Sequence, residues 1–119
     1  MDVKNILDEI TAGPGVISSV VLGRDGVVLE SSSLDTSEDP ESIAALSRDA
    51  IIAAERMTSD LGKGNLIMGI LEFSRGMAII ANISRFSKLI VLAQRGSNLA
   101  ELWNLVGSKF APLRQLLQL

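Results

Sequence analysis

The chain has 119 residues, 47% of them hydrophobic and 21% charged, a balance that fits one folded domain and excludes both a disordered chain and two domains. Its formal net charge is -3 and aromatics make up only 3%, so it repels a polyanion as a whole and has few platforms for stacking bases; nucleic-acid binding is disfavoured. With no cysteine and no histidine it lacks disulfides, thiolate nucleophiles, the commonest general base and nearly every kind of zinc site.

Met1 to Ala12 is predicted as a short helix. Val3, Ile6, Leu7 and Ile10 recur on one stripe. Gly13-Pro14-Gly15 ends it. At about three turns it is marginal alone and must dock on another element. Val16–Gly23 and Val27–Ser33 follow as two Val-rich strands joined by Arg24-Asp25-Gly26. Asp-Gly signals a tight hairpin turn, because such turns need positive φ, which Gly adopts freely. The serines of this hairpin (Ser18, Ser19, Ser31) and Glu30 place it nearer solvent, with its second strand at a sheet edge.

A polar loop, Ser31 to Pro40, leads into a long helix from about Pro40 to Leu61. Asp39 is a favoured N-cap and Pro40 suits the first helical position, where a missing N–H costs nothing. Ile43, Leu46, Ala50, Ala53, Met57 and Leu61 form the face expected to cover a sheet. Ala44, Ala45, Ile51, Ile52 and Ala54 carry apolar surface round much of the rest. A helix this apolar has two partners, and its alanines let a second helix approach closely.

Three apolar runs then follow, Leu66–Phe73, Met77–Ile83 and Leu89–Ala93, each about as long as an ordinary strand. Short breaks at Ser74-Arg75-Gly76 and Ser84-Arg85-Phe86-Ser87 make them an antiparallel meander. In the first run Leu66, Met68 and Ile70 point one way and Ile67, Leu71 and Phe73 the other. Both faces of the meander are apolar, so both need helical cover. After Gly96, Asn98 and Glu101 resemble a capping box, opening a helix whose stripe is Leu99, Leu102, Trp103, Val106 and Phe110. Pro112 interrupts it, leaving Leu113, Leu116, Leu117 and Leu119 as a kinked extension or a loose tail. The expected architecture is one α+β domain over residues 1–119. Its element order is αββαβββα, with one five-stranded antiparallel sheet, the long helix on one face and the two terminal helices on the other.

Catalytic chemistry would have to rest on carboxylates, and most of these fall in caps, turns or exposed helix faces, so no catalytic residue is nominated and no enzyme is expected. Asp35, Ser37, Asp39 and Glu41 alternate like the first ligands of a calcium loop. The match then fails, with Pro40 where Gly is needed and Leu46 where Glu is needed. Gly62-Lys63-Gly64 follows a helix and precedes a strand, the reverse of a phosphate-binding loop. No metal, cofactor or small-molecule substrate is expected. Arg24, Lys63, Arg75, Arg85, Lys88 and Arg95 lie in turns or at strand ends, where solubility is the plain explanation and a docking rim for an acidic partner the sharper one. The Leu66–Phe73 edge has no Lys or Pro inside it and invites pairing with another chain. Asp2, Asp8 and Glu9 interrupt any secretory leader, and no apolar run approaches the ~20 residues of a membrane helix, so a cytoplasmic protein is expected.

The ordering of these features resembles the roadblock / dynein light chain family. The likeness is carried by Gly64-Asn65-Leu66, an apolar strand ending near Glu72, Gly76 before the next strand, Leu89–Ala93 and the Asn98-Leu99 helix start. The hairpin of Val16–Gly23, Arg24-Asp25-Gly26 and Val27–Glu30 carries it too. No single motif is diagnostic. The resemblance implies a strand order 2-1-5-4-3 and a non-enzymatic homodimer formed through the central helix and third strand. That assigns Leu66, Met68, Ile70, Ala50, Ala53, Ala54 and Met57 to the interface. It also implies a Ras-like small GTPase as partner, which the protein regulates or scaffolds, activation of hydrolysis being one mode. The other reading is an adaptor subunit of a motor or membrane-signalling complex with no GTPase role, and a third is a small-ligand sensor, which requires a sizeable apolar pocket with convergent polar groups.

Overall fold

The computed structural model describes residues 2–35 and 39–117. The elements are α1 (Val3–Thr11), β1 (Val16–Leu22), β2 (Val28–Ser33), α2 (Pro40–Asp60), β3 (Met68–Phe73), β4 (Gly76–Ser84), β5 (Ser87–Ala93), α3 (Leu99–Ser108) and α4 (Phe110–Leu116). The strands form one antiparallel sheet in the order β2-β1-β5-β4-β3. β5 is therefore central, paired on one side with β1 (Val20 opposite Ile90) and on the other with β4 (Ile79 opposite Val91). β2 and β3 are the two edges, as the hairpin and meander readings require.

On one face, α1, α3 and α4 build the larger core. Ile6, Leu7 and Ile10 of α1 meet Leu102 and Val106 of α3, Leu113 of α4, and the strand residues Met77, Ile79, Ala81, Ile83, Leu89 and Val91. α1 is secured at its start by a full capping box. The Asp2 carboxylate accepts from the Asn5 amide at 2.8 Å, and Asn5 Oδ1 accepts from the Asp2 amide at 3.2 Å. Met1, the expected start of this helix, lies outside the described residues.

The hairpin serines behave differently from expectation. Ser18 and Ser19 are buried, and only β2 is a half-exposed edge. The polarity of Ser19 and Ser32 docks α1 rather than facing water. Ser19 Oγ donates to the Leu7 carbonyl at 3.1 Å and shares a 2.9 Å hydrogen bond with Thr11 Oγ1, while Ser32 Oγ donates to Asp8 Oδ1 at 2.7 Å. Ser18 Oγ, buried on the opposite face of β1, has no hydrogen-bond partner among the described residues. The turn between β1 and β2 follows the Asp-Gly signal, with φ of 64° at Asp25 and 77° at Gly26.

α2 covers the other face, packing over β1, β2 and the turn that joins them. Asp39 caps it by accepting from the Glu41 amide at 3.3 Å, with Pro40 in the first turn. Its sheet-facing residues are Ile43, Ala44 and Ile51, with Ala50 at the margin, against Val20, Leu22, Ile80 and Ile90. The expected covering face is thus corrected: of its six residues only Ile43 is buried and Ala50 half-buried, while Leu46, Ala53, Met57 and Leu61 are exposed. The sheet claims a neighbouring stripe, so the predicted one turns outward.

The first meander strand is also shorter than expected. β3 begins at Met68, and the chain before it is fastened by Asn82, whose backbone amide donates to the Ile67 carbonyl (2.8 Å) and whose side-chain amide donates to the Leu66 carbonyl (2.8 Å). Leu66 consequently does not share a face with Met68 and Ile70. It packs into the α2-side core, and they pack against the opposite one. At the C-terminus the chain is a kinked extension. Pro112 sits in the first turn of α4, where its absent N–H leaves no bond unmade, and Leu113 and Leu117 return to the core. Leu119 lies outside the described residues.

Candidate functional site

Of the residues assigned to an interface by resemblance, Ala53 and Met57 are exposed on α2, Ala50 and Ala54 are half-buried beside them, and Leu66, Met68 and Ile70 are half-buried at the β3 edge. Leu46, at 81% exposure, joins Ala53 and Met57 to make the outward stripe. Leu46, Ala50, Ala53 and Met57 are spaced four, three and four apart, the seam spacing of a helix that packs along a second helix. Two small residues in the middle of that seam leave room for close approach.

Beside α2, the sheet is only partly roofed. Alternation along β3 puts Leu71 and Phe73 on the α2 side, opposite to Met68 and Ile70, and both are about half exposed. Leu46, Leu71 and Phe73 thus join the exposed apolar surface without belonging to the contact set that the family resemblance implies. The missing signal was the lateral position of α2, which a one-dimensional pattern does not contain. The outer edge of β3 is free of any strand partner in the sheet. Exposed apolar stripe, uncovered sheet face and open edge together form a surface of the kind that mediates association.

The Ser37 member of the alternating acidic loop lies outside the described residues. Among the described residues, no group of three or more His, Cys, Asp or Glu converges on a possible metal position. The pocket between Leu22, Arg48, Ile51 and Lys88 has a volume of about 80 Å³, too small for a metabolite. A larger space, about 800 Å³, is an open groove beneath Asn65–Ile67, bounded by Arg85 and Arg114. No helix among the described residues is long and apolar enough to cross a membrane.

Residues 2–93 match the model of the Roadblock/LC7 domain, and the chain belongs to that family. It is 31% identical over 97 residues to the Methanocaldococcus jannaschii protein MJ0310, covering 82% of this chain and 83% of that one. The same organism's MJ0714 is similar to the same degree, 31% over 97 residues, with 82% and 80% covered. The fold is similar to that of a Roadblock/LC7 domain from Streptomyces avermitilis, with a TM-score of 0.87, 21% identity and full coverage of both chains. It is also similar to MglB of Myxococcus xanthus, with a TM-score of 0.88 and 13% identity over 97% of this chain and 94% of that one. At such identities the last two establish a shared fold. α4 lies beyond the matched family region.

Proposed function

We propose that this protein is a homodimeric regulator or scaffold of a Ras-like small GTPase, without an active site of its own and acting in the cytoplasm. The observation that carries the reading is the outward stripe of α2, Leu46, Ala53 and Met57, on the same face of the sheet as the half-exposed Leu71 and Phe73 of the edge strand β3, in a member of the Roadblock/LC7 family. Two copies related by a twofold axis would lay these stripes together and continue the sheet through β3, satisfying edge N–H and C=O groups that a single chain leaves to water. Leu66, Met68, Ile70, Ala50, Ala53, Ala54 and Met57 are the proposed contact set.

Family membership and the likeness in fold to MglB, a gliding protein in Thermus thermophilus, support the reading of a GTPase partner. A similar MglB is described in a tetrameric arrangement, which supports self-association as a habit of this fold. Any acceleration of hydrolysis would come from positioning residues that the GTPase already holds. The test is direct: GTP hydrolysis and complex formation by a small GTPase encoded beside this protein, measured with and without it. Binding with an altered rate is the expected result. A GTPase that neither binds nor changes rate, alongside capture of a partner that is no GTPase, would establish the adaptor reading instead.

A further inference from the structure

The seven arginines of this chain make no ion pair among the described residues, whereas Lys4, Lys88 and Lys109 are paired with Asp8, Glu55 and Glu9. Several of those arginines gather at one end of the sheet. The β1–β2 turn and the β4–β5 turn lie side by side there, since Leu22 is opposite Lys88 and Ser84 opposite Ser87. Phe86 holds two guanidinium groups, with Arg24 Cζ 4.9 Å and Arg85 Cζ 5.4 Å from its ring centroid. Stacking on one ring fixes two like charges near each other without a carboxylate to neutralise either. Arg114 joins from α4, anchored by Nε donating to the Ile83 carbonyl at 2.6 Å.

Arg85 and Arg114 border the open groove of about 800 Å³, whose apolar lining includes Ile67, Ile83 and Leu117. A second space of about 390 Å³ adjoins it, sharing Asn65, Asn82 and Arg85; its one acidic lining residue, Glu55, is the partner of Lys88. Asn82 reaches into both. Its Nδ2 is committed to the Leu66 carbonyl, which leaves Oδ1 buried and without a hydrogen-bond partner.

We propose that this groove docks an extended acidic segment of a partner protein, with carboxylates toward Arg85 and Arg114 and an apolar side chain on the Ile67–Ile83–Leu117 floor. Charge complementarity selects an anion, and the length and apolar floor of the groove select a chain over a single ion. The chain's net charge of -3 disfavours an anionic membrane surface as the occupant, which leaves a peptide. The site is distinct from the outward stripe of α2, and it stands whether or not the protein regulates a GTPase.

The probe is a short, fluorescently labelled peptide alternating Glu and Leu, titrated with the full chain and followed by anisotropy. A Lys–Leu peptide, inorganic phosphate and phosphatidylserine vesicles serve as comparisons. Binding of the acidic peptide is expected, weakening as salt is added and shifting the Asn82 side-chain amide resonances. Arg85→Glu, in an exposed turn, should weaken it by about tenfold or more, and Arg75→Glu, at the opposite end of β4, should leave it unchanged. Circular dichroism confirms that each variant is folded. The proposal is overturned if Arg85→Glu binds as tightly as the parent chain, if the Lys–Leu peptide binds equally well, or if vesicles or phosphate bind and the peptide does not.

Discussion

The two faces of the sheet are finished to different degrees. On the face of α1, α3 and α4 the core is continuous from Ile6 to Leu117, and three helices share the burial of β4 and β5. On the α2 face one helix covers the β1–β2 side, and its core is a small group around Val20, Ile51 and Ile90. Yet β4 and β5 are apolar toward both faces. The first face is a single-chain core; the second is a core with part of its cover missing. One sheet thus carries a finished single-chain core on one face and an incompletely covered apolar surface on the other.

That division can be broken or sharpened by substitution. The largest effect is expected on the finished face. Ile79 is fully buried there, opposite Ile70 and Val91. Ile79→Ala should cost about 2–5 kcal/mol through lost burial and a residual cavity, read as a lower urea midpoint at unchanged slope. An intermediate effect is expected on the α2 face. Ala53→Arg introduces a bulky charge into the middle of the exposed seam, and should weaken self-association by about 30-fold, roughly 2 kcal/mol, while the subunit stays folded. Sedimentation of the variant as an unchanged dimer would remove Ala53 from the interface. The smallest effect is expected for Leu46→Ser made in the Ala53→Arg background. Leu46 is 81% exposed, so the monomer should change by less than about 0.5 kcal/mol. A loss comparable to that of Ile79→Ala would mean that α2 packs through its predicted stripe after all, and the contrast between the faces would collapse.

Much of the fold was legible in the sequence. Caps at Asp39 and Asn98, the Asp25-Gly26 turn, the three apolar runs and the break at Pro112 are local signals, and each corresponds to an element boundary within a few residues. The start of β3 was not legible, because Leu66 and Ile67 are fastened by the side-chain and backbone amides of Asn82, 16 residues on from Leu66. The buried hairpin serines were misplaced for the same reason. Ser19 reads as a solvent-facing residue until Leu7 and Thr11 of α1 are brought against it.

The candidate surfaces divide along the same line. The sequence by itself determined that α2 has more apolar surface than one sheet can use, and that basic residues gather in turns and at strand ends. It did not determine which stripe of α2 the sheet would take, because Ile43–Ala50–Met57 and Ala44–Ile51 lie on adjacent faces of the helix and are similarly apolar. Tertiary structure decided that choice by where α2 crosses β1 and β2. It likewise decided that Arg24, Arg85 and Arg114, 29 residues apart or more by position in the chain, would border one end of the sheet. Spacing along a helix or strand is local and survives in the sequence. The lateral placement of a helix and the convergence of distant turns depend on packing among non-neighbouring residues, and exist only once the sheet has formed.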